Sequence, residues 1–146
     1  MGSTTYTGSQ SQSGARIVGG KKGEGPGPEV MAANTLEGDS VVNADGEELG
    51  SIKDIMIDVS SGQVAYAVLS RGGILGIGDK LFAIPWTALT LDANRKCFIL
   101  DVSKERMDEA PGFDKDNWPS MADLSWATQV HSYYGQANYW QPPPDV

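Results

Sequence analysis

Between Val41 and Val102 apolar and polar residues follow one another in short runs, and most runs end at a glycine- or asparagine-bearing turn. Period-two alternation puts successive side chains on opposite faces of an extended strand. Val41-Val42 reads as a first short strand. Asn43-Ala44-Asp45-Gly46 is the turn after it, with Gly46 free to take a positive φ. Leu49 to Val59 reads as a longer strand, with Ile55, Ile57 and Val59 on one face and Asp54, Met56 and Asp58 on the other. Ile52 is out of phase with the first set, which predicts a bulge or twist nearby. Ser60-Ser61-Gly62 then turns the chain into a hairpin with Gln63 to Ser70. Val64, Tyr66 and Val68 alternate there with Ala65, Ala67 and Leu69, so both faces are apolar and the strand is predicted to be central and covered on both sides. Leu81 to Ile84, closed by Pro85, is the next strand. Leu89 to Leu91 and Cys97 to Val102 form a second hairpin around Asp92-Ala93-Asn94, with Phe98, Leu100 and Val102 as its expected core face. Short strands joined by tight turns predict a mainly β fold, a small barrel or sandwich.

After Ser103 the pattern becomes helical. Ser103 is the expected N-cap of a helix from Lys104 to Ala110 that Pro111 stops, and Asp123 that of a last helix from Leu124 to Tyr134 ended by Gly135. Leu124, Ala127, Val130 or His131, and Tyr134 make one stripe of this helix; Trp126 and Tyr133 make a second, offset one. The end, Tyr139-Trp140-Gln141-Pro142-Pro143-Pro144, is extended and prone to polyproline geometry. The start is poor in hydrophobic residues and rich in Gly, Ser and Gln, too little to offset the entropy of ordering it. The expected organisation is therefore a disordered tail over 1–36, a β core over 37–103, a helical extension packed on it over 104–135, and an aromatic, proline-rich tail over 136–146.

The stretch from Gly38 to Asp123 resembles the PRC-barrel family. The features that carry the likeness are Gly46-x-x-Leu49-Gly50-x-Ile52-x-Asp54-Ile55-Met56-Ile57-Asp58 and Gly62-x-Val64-Ala65-Tyr66-Ala67-Val68-Leu69-Ser70. To these add Gly72-Gly73, Lys80-Leu81-Phe82-Ala83-Ile84-Pro85-Trp86, Phe98-x-Leu100-Asp101-Val102, and Ala110-Pro111-Gly112-Phe113-Asp114-Lys115-Asp116-x-Trp118-Pro119. The last is similar to small stand-alone bacterial members. The fold is shared with the cytoplasmic domain of the photosynthetic reaction-centre H subunit and with a ribosome maturation factor. The resemblance implies a small six-stranded β-barrel with short C-terminal helices. It implies no activity, because unrelated roles use this fold.

A formal net charge of -8 disfavours direct contact with nucleic acid. No run reaches the roughly 20 apolar residues that cross a bilayer, and no apolar leader opens the chain, so a cytoplasmic protein without membrane insertion is expected. Cys97 is the one cysteine and reads as a half-buried strand residue, which excludes an internal disulfide and a cysteine-based zinc site. Gly72 to Lys80 superficially suggests a phosphate loop. However, Asp79 stands between the last glycine and Lys80, Leu81 comes next, and the element after it is a strand. Asp54 and Asp58 lie about 13 Å apart along one strand face, too far for a direct acid–base pair. Asp114 and Asp116 lack the further ligands of a calcium loop and read as turn caps. His131 has no second histidine at ligand spacing and reads as a polar helix position. No catalytic residue, metal site or cofactor is expected.

What remains is aromatic surface. Trp118, Trp126, Tyr133, Tyr134, Tyr139 and Trp140 all come after the β core, and one short helix cannot bury both Trp126 and Tyr133 together with Leu124 and Tyr134 on a single face. Aromatic residues left at a surface mark partner contacts. Together with Ile74, Leu75 and Ile77 in the glycine-rich loop they are the expected interaction residues. The expected function is a non-catalytic protein-interaction or scaffold module that associates with itself and with an unidentified protein partner. The alternatives are an accessory factor in RNA processing or ribosome assembly acting through protein contacts, and an electron-transfer accessory similar to the H subunit.

Overall fold

A long antiparallel hairpin organises the molecule. The computed structural model describes residues 14–21, 23, 25–72 and 80–140. In chain order the elements are β1 (Arg16–Val18), α1 (Ala33–Leu36), β2 (Ser40–Val42), β3 (Glu48–Asp58), β4 (Gln63–Arg71) and β5 (Lys80–Pro85). After them come a 3-10 turn (Trp86–Ala88), β6 (Leu89–Asp92), β7 (Cys97–Leu100), α2 (Lys104–Asp108), β8 (Phe113–Asp114) and α3 (Leu124–Tyr133). The strands form one sheet in the order β1-β6-β7-β2-β3-β4-β5-β8. The six strands expected from the sequence are the inner six. A short strand is added at each edge, and the sheet is not closed: β1 and β8 are its two ends.

The hairpin turn is made as the pattern predicts. Gly62 takes φ 78° and donates to the Asp58 carbonyl at 2.8 Å. The β3 register slips between Ile52 and Asp54, where the phase break lies, and again between Met56 and Ile57. The second slip has a consequence the alternation did not show. Ile57 and Val59, expected on an apolar face with Ile55, are exposed, Val59 at 90%. Gly50 sits where β3 passes tightly over β4; a Cβ there would lie 2.5 Å from the Ser70 carbonyl oxygen and 2.8 Å from Leu69 Cδ1.

The core gathers Val41, Leu49, Ile52, Leu69, Phe82, Ile84, Leu89, Phe98 and Leu100 with Met107 of α2. Cys97 is buried in β7 rather than half-exposed. Asn43 is a buried polar residue whose side-chain oxygen accepts from the Asp45 and Glu47 amides, at 3.1 and 2.9 Å, so that the turn supplies its partners. Within the stretch read as a tail, Arg16–Val18 pairs in parallel with Thr90–Asp92. The physical reason is the free edge of β6. Its backbone groups need partners whatever side chains the pairing strand carries, and all three β1 residues remain exposed. Leu36 of α1 is buried in the same core.

Candidate interaction surface

The β4 strand is flanked by β3 and β5, and its residues from Ala65 to Leu69 are all buried. Cross-strand partners share a face, so Tyr66 and Val68 lie with Pro85 and Ala83 of β5. The α3 helix lies across β5 and covers this side. It starts as its sequence predicts, with Asp123 Oδ1 accepting from the Ser125 amide at 2.9 Å. Ala127, Val130 and His131 are its buried residues, and Tyr134 at its C-cap continues the same stripe. Leu124, expected in that stripe, is 59% exposed, so the buried stripe starts one turn later.

His131 is not the polar surface position its sequence context suggested. It is 1% exposed. Its Nδ1 lies 2.8 Å from the Ala127 carbonyl oxygen, which can only accept, so Nδ1 carries the proton and Nε2 is bare. Nε2 is buried without a hydrogen-bond partner, as is the Tyr66 hydroxyl. Burial lowers the His131 pKa, partly countered by the bond to Ala127. Burial likewise raises that of Tyr66.

The tail after α3 folds back onto these two rings. Gly135 takes φ 69°, and the Gln136 amide donates to the His131 carbonyl at 2.8 Å. The Tyr139 ring lies 6.3 Å from Tyr66 and 5.8 Å from His131, and Trp140 lies 5.2 Å from His131. Trp126 reaches Tyr66 from the helix at 5.4 Å, edge to face. The Tyr139 hydroxyl donates to Asp58 Oδ2 at 2.7 Å, fastening the tail to the end of β3. That bond, and after it one from the Ser61 amide, holds the Asp58 carboxyl below its ordinary range. Burial, with Asp58 beside it, pushes the Tyr139 phenol up to about 12.

A second clamp joins the two C-terminal helices. The Arg106 guanidinium stacks over the Tyr133 ring at 4.1 Å and donates to the Tyr133 carbonyl, while the Tyr133 hydroxyl donates to the Arg106 carbonyl at 2.6 Å. Arg71 bonds Asp108 at 2.7 Å and ties α2 to the end of β4. Trp118 packs on Phe113 at 5.0 Å and is 39% exposed.

The residues expected to make contacts thus separate. Tyr134 is buried against the core. Trp126, Tyr133, Tyr139 and Trp140 are half-buried, and Trp118 is exposed beside β8. Ile74, Leu75 and Ile77 lie outside the described residues, as does 141–146 with the proline run. Three members of the cluster were not expected from the sequence: Tyr66, His131 and Asp58. Tyr66 had a signal, the apolar second face of β4, and His131 had the 127–134 helical spacing. Asp58 had none, because its partner lies 81 residues away. Among the described residues, no three His, Cys, Asp or Glu side chains are gathered as metal ligands, and no helix is long and apolar enough to cross a membrane.

The family model for the PRC-barrel domain matches residues 28–107, more than half of the chain. The chain belongs to the PRC-barrel domain family. Its matched region runs from the segment ahead of α1 to α2, so β8, α3 and the aromatic tail lie beyond it. Among solved structures, the chain is similar to RimM of Pseudomonas aeruginosa, named as a 16S ribosomal RNA processing protein. The identity is 19% and the TM-score 0.36, over 51% of this chain and 45% of RimM. The likeness thus spans less than half of RimM's length. No curated protein matches the chain.

Proposed function

We propose that this PRC-barrel protein is a non-catalytic interaction module that associates with itself through its C-terminal third. The β core over 37–103 acts as the rigid wall. The helical extension over 104–135 and the tail over 136–146 supply the contact. The single observation that carries this reading is the grouping of half-buried aromatic rings beyond the residues the family model matches, with Trp118 and Leu124 exposed. Large rings that are held in place yet partly wet supply contact area at little further entropic cost on binding. The acidic balance of the chain favours protein partners over nucleic acid. The test is the mass of the full chain in solution across a concentration series, beside Trp118→Ala and Leu124→Ala. Leu124 is 59% exposed, while Trp118 also packs on Phe113, so an unfolding curve run beside each variant separates lost association from lost fold. An oligomer that either replacement weakens supports the reading. A monomer at every concentration, or an oligomer indifferent to both, refutes it.

A further inference from the structure

The tail is held by contacts that do not depend on which chain it belongs to. Tyr139 and Trp140 meet Tyr66 and His131 through ring faces and edges, and the Tyr139 hydroxyl meets Asp58. Residues 135 to 138 connect this anchor to α3, and Gly135 and Ala137 are exposed. We propose that the tail exchanges between copies: in a dimer, Tyr139 and Trp140 of one chain dock on Tyr66, His131 and Asp58 of the other. The proposal rests on self-association through the C-terminal third and names the segment that performs it.

Three observations support exchange over a permanent intramolecular strap. First, the groove has a known occupant, because the chain's own tail fills it in one copy, and a second copy offers an identical tail and an identical groove. Second, the connection is short. Four residues span about 14 Å when extended, and Gly135 at their start, exposed with φ 69°, can also take extended geometry at no steric cost, so the anchor can swing away from its own groove. Third, the rings under the tail carry two buried polar atoms without partners, the Tyr66 hydroxyl and His131 Nε2. Wetting those atoms returns free energy when the tail lifts, so the docked state opens more readily than its ring contacts alone suggest. Once the tail is open, closing on its own chain or on another forms the same bonds, and protein concentration decides between them.

The experiment uses full-length protein. Isotope-labelled wild-type chain is mixed with unlabelled chain carrying Cys97→Ala and a nitroxide on Ala137→Cys. Exchange is expected to broaden the labelled chain's Asp58 and Tyr66 amide signals in step with the dimer fraction. A second measurement separates exchange from simple docking. Asp58→Ala lacks the acceptor and Tyr139→Phe lacks the donor, so neither forms the bond alone. An exchanged heterodimer restores it once, and mixing the two variants is expected to raise the dimer fraction several-fold over either alone. A dimer without broadening at those amides, or no gain on mixing, overturns tail exchange and leaves self-association standing. A monomer throughout overturns both.

Discussion

Replacing His131 by phenylalanine is expected to abolish the pH dependence of stability between pH 7 and pH 5.5. His131 is the chain's one histidine, so no other side chain has its ordinary titration in that interval. The groups facing it are uncharged: Tyr66 on β4, and Tyr139 and Trp140 from the tail, with Trp126 nearby on the same helix. The nearest carboxylate in this network, Asp58, is reached only through the Tyr139 hydroxyl. Protonation would place a charge and a second N–H in a setting where Nε2 has no acceptor. Burial therefore depresses the folded-state pKa below its ordinary 6.5. A depressed histidine pKa means the unfolded chain takes up the proton first as pH falls. The associated stability is complete above about pH 6.5 and is lost below it, down to the folded-state value. One proton sets a limiting slope of about 1.4 kcal/mol per pH unit, and the loss at pH 5.5 reaches at most about 1.4 kcal/mol. Urea unfolding followed by circular dichroism at half-unit pH steps reads this directly. The wild type should lose stability over the interval while His131→Phe stays flat. A flat wild type, or a loss of stability on acidification that survives in the variant, refutes the assignment of a buried, neutral imidazole.

Four further outcomes are expected. Phe98→Ala removes a fully buried ring that packs 5.7 Å from Trp86, and should lower the unfolding free energy by about 3–5 kcal/mol in urea. Gly50→Ala should cost about 1–3 kcal/mol by the same assay, because its methyl meets the β4 backbone at 2.5 Å. Asp123→Ala removes the α3 cap and should cost about 1 kcal/mol, with amide exchange quickening first at Ser125, whose N–H it accepts. In Tyr139→Phe the Asp58 carboxyl loses the first of the bonds that depress it; its pKa, followed by carbonyl NMR, should rise toward the usual aspartate range, and an unchanged value would break the tail-to-β3 link.

The local devices were legible because each is written within a few residues. The caps at Ser103 and Asp123 need only a side-chain oxygen two or three residues before the amide it meets, and both are formed, Ser103 Oγ accepting from the Arg106 amide at 3.0 Å. The bulge near Ile52 appears as a phase break, since a slipped register must move one residue to the wrong face. The second bulge left no such mark, because Ile55, Ile57 and Val59 keep perfect alternation through it. The β1 strand was illegible for a different reason. Arg16–Val18 contributes backbone to an unpaired edge and buries nothing, so no hydrophobic pattern announces it.

The tail cluster shows how a local reading and a long-range one meet. Two apolar faces on β4 require two covers, and the β-sheet's own core supplies one of them. The family's matched region stops at residue 107, before α3. The face carrying Tyr66 is then covered by the C-terminal segments: α3 brings Trp126 and His131, and the returning tail brings Tyr139 and Trp140. A cover built wholly of apolar side chains would seal that face at no polar cost. This one instead buries a phenol oxygen and an imidazole nitrogen without partners and fixes its outer end by one bond to Asp58. Each buried, unpaired atom offsets about 1–3 kcal/mol of what the ring contacts contribute. The same aromatic surface that completes the fold is therefore held less firmly than the core beneath it.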